Sequence, residues 1–230
     1  MQLHLISAGA AKGLVEALRE RFAAESRATI DATFGAVGAM KELLLAGARC
    51  DAIILTQALL DKLADDGYVQ ADSIMPLGHV HTGIALRERD VDVAIETADA
   101  LREALVAATS VYIPDPHKAT AAIHFLDVLA RLGIRKLLDL KLRPYPNGAA
   151  AMAALAEAGD AHPIGCTQVT EIKYTPGVKL VDKLPIGFEL ATLYSAAACR
   201  NANDASLAKR FVAMVAGPES AALRRDGGFE

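Results

Sequence analysis

The feature that most constrains the fold is a regular alternation of short apolar runs and segments with helical periodicity. In the first third of the chain, each apolar run has the length of a buried strand, and each following segment places apolar side chains on one helical face. The runs cover residues 2–7, 28–33 and 51–55, and the helical segments cover residues 10–24, 36–46 and 57–66. Three successive β-α units predict an α/β fold with a largely parallel sheet and right-handed crossovers.

The second part of the chain changes in character after Gly78. A longer extended run at residues 79–87 indicates a crossing into a second lobe, and another at residues 188–198 indicates the return. Between and beyond them the same criteria predict helices at 97–108, 119–132, 147–158 and 204–216, and strands at 110–113, 163–167 and 178–182. We therefore expect one lobe formed by residues 1–82 plus 196–230 and a second formed by 83–195.

Charge and composition exclude several classes of function. The net charge is -4 and no basic run occurs, which argues against nucleic acid as a partner. The three cysteines have no CxxC spacing, and the alternating pair His79 and His81 has no third ligand, so no metal site is predicted. No dinucleotide fingerprint or other cofactor motif is present, and no apolar run reaches the length of a membrane span. We expect no cofactor and no membrane-spanning segment.

Small and hydroxyl-bearing residues gather at successive strand-to-helix junctions. Because the carboxyl ends of strands in an open α/β sheet meet in one crevice, these junctions are expected to approach a common ligand. Small residues let the backbone come close, and helix N-termini favour an anion. The same residue types are also ordinary helix N-caps. The candidates at these junctions are Ser7, Gly9, Ala10, Phe34, Gly35, Thr56, Thr120, Asn147 and Gly148.

Six segments, in order along nearly the whole chain, form a pattern of their own. They are LISAGAAKGLVEAL at 5–18, TFGAVGAMKELLLAG at 33–47, CDAIILTQALLDKLADDG at 50–67, IPDPHKATAAIHFLDVLARLGI at 113–134, IGCTQVTEI at 164–172 and GPESAALRRDGGF at 217–229. In their order and spacing these segments resemble the type II periplasmic solute-binding proteins, specifically their molybdate-type branch. The resemblance implies two α/β lobes with a two-strand hinge. It also implies an oxyanion held between the lobes by serine hydroxyls, backbone N–H groups and a tyrosine.

Several side-chain donors of that family site are replaced in this chain. The first serine position falls on Gly9, the second on Ala36 or Val37, and the tyrosine on Gln168. The family's P-A-G turn becomes Thr120-Ala121-Ala122, so Ala121 would offer only its backbone. Each hydroxyl lost from a buried oxyanion site removes a donor worth about 1.5–3 kcal/mol.

The altered donor set favours a small organic acid over molybdate. Ser7 and Thr56 in the first lobe, and Thr120, Asn147 and Gln168 in the second, would supply neutral donors, while Lys12, Lys118 and Arg143 would supply positive charge. Amide and hydroxyl donors with one or two cations suit a carboxylate. The leading prediction is therefore a solute-binding protein for a small anion that acts as a monomeric receptor of an ABC importer.

Three other functions stay open. The first is an isomerase of a small carboxylic or keto substrate on the same scaffold, with His117, Lys12 and Glu171 as candidate acid/base groups. The second is a true molybdate or tungstate binder that uses backbone donors, and the third is a ligand-sensing domain. The resemblance implies a periplasmic location, whereas the absence of a leader before Met1 would favour the cytoplasm if Met1 is the true start.

Overall fold

The computed structural model describes residues 1–230 and divides the chain into two compact units. Unit 1 comprises residues 1–80 and 192–230, and unit 2 comprises residues 81–191. The boundaries expected from the sequence, after residues 82 and 195, lie slightly later along the chain. Both units contain strands and helices, so the predicted α/β fold is confirmed.

The strands and helices are numbered along the chain. The strands are β1 (Gln2–Ala8), β2 (Thr29–Gly35), β3 (Ala52–Thr56), β4 (Met75–Arg87), β5 (Ser110–Pro114), β6 (Leu142–Tyr145), β7 (Pro163–Gln168), β8 (Val178–Lys183) and β9 (Ala191–Ala198). The helices are α1 (Lys12–Ser26), α2 (Val37–Leu45), α3 (Gln57–Asp65), α4 (Ala98–Ala107), α5 (Thr120–Arg131), α6 (Arg135–Leu138), α7 (Gly148–Ala156), α8 (Val169–Tyr174), α9 (Ala205–Ala216) and α10 (Ala221–Gly227). Short 3-10 turns occur at Gly9–Ala11, Ala71–Ser73 and Pro218–Ser220.

The sheet of unit 1 has the strand order β2-β1-β3-β9. β1 is parallel to both β2 and β3, which is the arrangement that the repeated β-α pattern predicts. β9 returns antiparallel to β3, with Leu55 opposite Ser195. The helical face of α1 that carries Leu14, Leu18 and Phe22 is buried, and the Phe22 ring meets the edge of Phe211 at 5.5 Å. Helix α9, in the last segment of the chain, therefore completes the core that the first β-α units begin.

The sheet of unit 2 has the strand order β8-β4-β7-β5-β6. β5 is parallel to β6 and β7, whereas β4 is antiparallel to both β7 and β8. Two apolar clusters fill this unit: one centres on Phe125 and Leu129 of α5, and the other on Met152 and Leu155 of α7. Unit 2 therefore has a core of its own.

Three short elements of unit 2 are not among those predicted from the sequence. They are the single-turn helix α6, the edge strand β6 and the six-residue helix α8. β6 contains Pro144 and sits at the end of the sheet, where a missing backbone donor is tolerated. Elements this short do not complete a helical or alternating pattern, so periodicity does not reveal them.

Candidate functional site

In unit 1 the three parallel strands end at the same edge of the sheet. Ser7 pairs in register with Phe34 of β2 and with Ile54 of β3, and Ala8 pairs with Gly35. The candidate residues on the segments that follow these strands therefore lie along one carboxyl edge. These residues are Ser7, Gly9, Ala10, Lys12, Phe34, Gly35 and Thr56.

The candidate residues of this edge differ in their burial and in whether their polar groups are already hydrogen-bonded within the protein. Ser7 is fully buried, and its Oγ donates a hydrogen bond to the carbonyl of Ala8 at 3.0 Å. Gly9 and Ala10 are also buried, and they form a 3-10 turn that brings backbone N–H groups to the start of α1. Lys12, Phe34 and Thr56 are half-buried. The edge thus combines backbone donors with one accessible hydroxyl and one ammonium group.

The sequence did not identify the contribution of β9 to this edge. Because β9 is antiparallel to β3, its first residues lie beside the carboxyl end of β3. The buried Ser195 hydroxyl donates to Oε1 of Gln57, the first residue of α3. Thr192 is 8% exposed, and its hydroxyl has no hydrogen-bond partner. The strand pattern of residues 188–198 was visible, but the identity of its partner strand depends on tertiary pairing.

In unit 2 the parallel strands β5, β6 and β7 also end at one edge. Pro114 pairs with Tyr145, and Tyr112 pairs with Gly165. The segments that leave this edge carry the remaining candidates other than Arg143. These are His117, Lys118, Thr120 and Ala121 after β5, Asn147 and Gly148 after β6, and Gln168 and Glu171 at the end of β7 and in α8.

The loop after β5 is organised by Asp115. Its Oδ1 accepts hydrogen bonds from the backbone N–H groups of His117 at 2.8 Å and Lys118 at 3.1 Å. His117 is exposed, whereas Lys118 and Thr120 are half-buried. Asp115 is therefore the turn former that its position before a proline predicts, and it holds the entry to α5.

Glu171 lies inside unit 2 and joins the N-termini of two helices. Its Oε2 accepts a hydrogen bond from the Thr167 hydroxyl at 2.6 Å, and its carboxylate also accepts from the backbone N–H groups of Gly148, Ala149 and Gln168. Burial raises the pKa of the Glu171 carboxyl, while the four hydrogen bonds oppose that rise. The anion bound at the N-terminus of α7 is thus the Glu171 carboxylate of the protein itself, and not a ligand.

Gly148 provides the space that Glu171 needs. A Cβ atom at position 148 would lie 1.9 Å from Oε2 of Glu171 and 2.2 Å from Oγ1 of Thr167. Asn147 caps the same helix, because its Oδ1 accepts from the N–H group of Ala150 at 2.9 Å. Asn147 and Gly148 therefore make hydrogen bonds and packing contacts within unit 2 that define the start of α7.

Gln168 lies in register with Thr82 of β4, next to buried hydroxyl groups. Gln168 is 3% exposed and Thr82 is 1% exposed. The hydroxyls of Thr82 and Thr170 have no hydrogen-bond partner. A buried hydroxyl without a partner costs about 1–3 kcal/mol, so such groups mark places where a further polar molecule would be stabilising. The sequence identified Gln168 but not Thr82 or Thr170, which lie in an apolar strand and a short helix.

Arg143 is directed away from the carboxyl edge of unit 2. It is exposed, and its Nη1 donates to the carbonyls of Leu140 at 2.8 Å and Leu142 at 3.2 Å, which precede it at the start of β6. Hydrogen bonds from Ser110 and Tyr112 lower the pKa of Asp160, and the charge of Arg143 adds to that effect. The Arg143 guanidinium therefore makes its contacts near the amino end of the sheet, where it interacts with the carbonyls of Leu140 and Leu142 and with Asp160.

Helices that follow the parallel strands differ in how they begin. No side chain caps α1, α2 and α3 of unit 1 or α5 of unit 2. By contrast, side-chain oxygens of Thr97, Asn147 and Asp204 cap α4, α7 and α9. α6 and α10, which follow other helical turns, also lack a side-chain cap, and so does α8, where the N–H group of Gln168 already donates to the Glu171 carboxylate. Four helix N-termini at the two carboxyl edges therefore present N–H groups to which no side-chain cap is bound.

No group of three or more His, Cys, Asp or Glu side chains is arranged to hold a metal ion. None of the helices combines the length and apolar character needed to cross a bilayer.

Each of the two α/β units carries helix N-termini at the carboxyl edge of its sheet, an arrangement suited to binding a small anionic solute. The chain belongs to the bacterial extracellular solute-binding protein family, whose model matches residues 3–230. The family resemblance stated from the sequence is thereby confirmed.

Known proteins similar to this chain include both binding proteins and an enzyme. The fold matches a periplasmic molybdate-binding protein of Azotobacter vinelandii with a TM-score of 0.82 and 16% identity, over 99% of this chain and 98% of that chain. It also matches L-phospholactate-bound PEB3 of Campylobacter jejuni with a TM-score of 0.70 and 12% identity, over 99% of both chains. An aconitate isomerase of Pseudomonas sp. is 27% identical over 181 residues, which are 78% of this chain and 67% of that protein.

Proposed function

We propose that this solute-binding protein binds a small organic acid through its carboxylate groups. The observation that carries the proposal is the set of four helix N-termini, those of α1, α2, α3 and α5, which begin at the carboxyl edges without a side-chain cap. Their N–H groups and the positive ends of their dipoles are suited to an anion. Membership of a solute-binding family supports ligand binding as the function of these groups.

The proposed ligand residues in unit 1 are those that leave donors available. The backbone of Gly9 and Ala10, and the segment Phe34-Gly35 before α2, supply close approach. Thr56 supplies a hydroxyl that caps no helix, and Lys12 supplies a half-buried positive charge at the start of α1. A cation at a helix N-terminus opposes the dipole, and a bound carboxylate would offset that repulsion.

In unit 2 the proposed ligand residues are Thr120, Ala121 and Gln168, with Lys118 as a source of positive charge. Thr120 and Ala121 open the uncapped helix α5, and Gln168 stands beside the unpartnered Thr82 hydroxyl. We do not include Asn147, Gly148 and Arg143, because their polar groups already serve α7, Glu171 and the start of β6.

The donor set favours a carboxylate over a tetrahedral oxometalate. Gly9 and either Ala36 or Val37 stand at positions where the molybdate-type pattern has serines, and Gln168 stands at the tyrosine position. Two of the similar proteins have names that mention organic acids. One is PEB3 bound to L-phospholactate, and the other is an aconitate isomerase. An unsaturated or hydroxylated di- or tricarboxylate is therefore the proposed ligand class.

A thermal-shift titration tests the ligand class. The panel would hold aconitate, citrate and other di- and tricarboxylates beside molybdate, tungstate, sulfate and phosphate. A carboxylate present at 100 times its dissociation constant should add about 2.7 kcal/mol to the free energy of unfolding, which is about 5–10 °C in Tm. A shift with molybdate and tungstate alone would contradict the proposal.

A pair of matched variants tests where the ligand binds. Thr56→Val removes the proposed donor without changing side-chain size, and a lost hydrogen bond to a charged group should weaken binding about tenfold or more. Thr29→Val makes the same change at an exposed position at the amino end of β2 and should leave the affinity unaltered. Equal affinities in the two variants would show that Thr56 is not a ligand residue.

Isomerisation of the bound acid is a second candidate function, and the 27% identical aconitate isomerase is the observation that favours it. The enclosed Glu171 carboxylate is already held by four donors, which leaves Lys12 and His117 as acid/base candidates. The assay follows cis-aconitate by proton NMR. Turnover that disappears in Lys12→Ala or His117→Ala would support the enzyme, and binding without conversion would support the receptor.

The location and partner follow from the same proposal. A family described as extracellular suggests that this protein works outside the cytoplasm, where it would deliver its ligand to an ABC permease. Fractionation of the native cells with a cytoplasmic marker enzyme tests the location. Recovery of the protein with that marker would contradict the receptor role and would leave the isomerase candidate in place.

A further inference from the structure

Two cysteines of unit 1 lie in contact at the amino edge of its sheet. Cys50 precedes β3, and Cys199 directly follows β9. The Cys199 thiol donates a hydrogen bond to Sγ of Cys50, with the two sulfur atoms 3.2 Å apart. The third cysteine, Cys166, lies in β7 of unit 2 and is fully buried.

We propose that Cys50 and Cys199 are a redox-active pair that closes to a disulfide in the presence of a small-molecule or protein disulfide. Since a disulfide bond is about 2.05 Å long, the sulfur atoms must approach by about 1 Å from their present separation. The flanking backbone already holds the two segments together, because the N–H group of Cys199 donates to the carbonyl of Asp51 at 2.9 Å. The bond would therefore form by small side-chain adjustments.

The two thiols differ in accessibility, which gives the reaction an order. Cys50 is 8% exposed and follows a turn whose residues Ala46, Gly47 and Arg49 are exposed, whereas Cys199 is 2% exposed. The hydrogen bond to Cys50 and burial both raise the pKa of the Cys199 thiol. Cys50 is therefore the residue that meets the oxidant first, after local opening of the 46–50 turn.

The chemistry is two successive thiol–disulfide exchanges. Cys50 gives up its proton and attacks one sulfur of the oxidant, which forms a mixed disulfide and releases one thiolate. Cys199 then gives up its proton and attacks Sγ of Cys50, which forms the intramolecular bond and releases the second thiolate. Two protein thiols are oxidised, one external disulfide is reduced to two thiols, and the released thiolates take up the protons.

Closure would tie together the two separate chain segments that make unit 1. Cys50 belongs to the segment before unit 2, and Cys199 belongs to the segment after it. A cross-link between residues so distant in sequence restricts the unfolded chain strongly. The oxidised protein should therefore unfold about 5–10 °C above the reduced protein.

The test uses the full chain incubated with glutathione disulfide and then alkylated under denaturing conditions. The expected product has one alkylated cysteine, Cys166, and a peptide map that links Cys50 to Cys199. Three alkylated cysteines after incubation, or glutathione retained on Cys50 without a link, would overturn the proposal. Because the assay needs no ligand and no particular cell compartment, its outcome is independent of the proposed solute.

Matched variants exclude a link through the third thiol. Cys166→Ala should keep the cross-link and the higher Tm after oxidation. Cys50→Ala and Cys199→Ala should each lose the oxidation-dependent rise in Tm and retain two alkylated cysteines. If either of these two variants fails to fold, the peptide map of the unaltered chain still decides the question. A Cys50→Ala protein whose Tm still rises on oxidation would contradict the proposed pair.

Discussion

At the scale of single residues, the contact between Gly148 and Glu171 makes the sharpest prediction. Gly148→Ala would place a Cβ atom 1.9 Å from Oε2 of Glu171, which must then leave the N-termini of α7 and α8. We expect the free energy of unfolding to fall by at least about 2 kcal/mol in urea denaturation. Gly159→Ala is the control, because a Cβ there meets no atom within 4 Å. Equal effects of the two substitutions would contradict this packing.

A second residue-scale prediction concerns the ion pair between Arg87 and Asp90. Arg87 is nearly buried, with its Nε 2.7 Å from Asp90 Oδ2 and its Nη1 2.6 Å from the carbonyl of Ala158. Asp90→Asn would leave the guanidinium without its counter-charge, and we expect a loss of about 1–3 kcal/mol at pH 7. Asp127→Asn breaks an exposed pair with Arg131 and should change the stability by less than about 0.5 kcal/mol.

The ion pair between Arg87 and Asp90 also makes the free energy of unfolding depend on pH. Its hydrogen bonds and charge hold the pKa of Asp90 below the ordinary value of 3.8. Because the folded-state pKa is lowered, the contribution of Asp90 is fully present well above pH 3.8 and is lost as the pH falls through the lower folded-state value. The stability difference between the unaltered protein and Asp90→Asn should therefore shrink on acidification below about pH 4. A difference that grows on acidification would contradict the assigned pairing.

At the scale of elements, helix beginnings separate residues that stabilise from residues proposed to bind. Asn147→Ala removes a cap that accepts from Ala150, so we expect a loss of about 1 kcal/mol in the free energy of unfolding. Thr56→Ala removes no cap from α3, and its effect on stability should be below about 0.5 kcal/mol. Urea denaturation of both variants checks this. A larger loss for Thr56→Ala would show that its hydroxyl stabilises the fold without ligand.

The longer elements could be predicted from the sequence because each has enough turns or alternations to show its period. Within the predicted helical segment 10–24, for example, Leu14, Val15, Leu18 and Phe22 recur at helical spacing, and all four are buried on one face of α1. The elements α6, β6 and α8 were missed, since each is shorter than two helical repeats or contains proline. Short elements form because their neighbours pack on them, and a single sequence does not show those neighbours.

The candidate site was predictable where it depends on chain order and unpredictable where it depends on packing. Gly9 and Thr56 lie at the ends of parallel strands, and Thr120 opens the helix that follows β5, as the order of strands and helices along the chain requires. The burial of Glu171 among Thr167 and three N–H groups depends on how α7 and α8 meet. Sequence pattern assigned Glu171 an acid/base role as one alternative, and only the tertiary contacts show that its carboxylate is already engaged.

At the scale of the whole molecule, the two units differ in how the chain builds them. Unit 2 is one continuous segment, residues 81–191, and contains its own two apolar clusters. Unit 1 needs two segments, because β9 pairs with β3 and Phe211 of α9 packs on Phe22 of α1. Folding of unit 1 therefore depends on residues that are far apart in the chain, whereas folding of unit 2 does not.

This difference predicts how isolated segments behave. A fragment of residues 81–191 should show a cooperative thermal transition by circular dichroism and dispersed amide resonances by NMR, since it contains β5, β6, β7 and β8 and the residues of β4, 82–87, that pair with β7 and β8. A fragment of residues 1–80 should show neither, because it lacks β9 and the α9 side chains that complete its core. Adding a peptide of residues 192–230 should restore a cooperative transition, as those residues supply the missing strand and helix. Cooperative folding of residues 1–80 alone would contradict the view that the C-terminal segment is an integral part of unit 1.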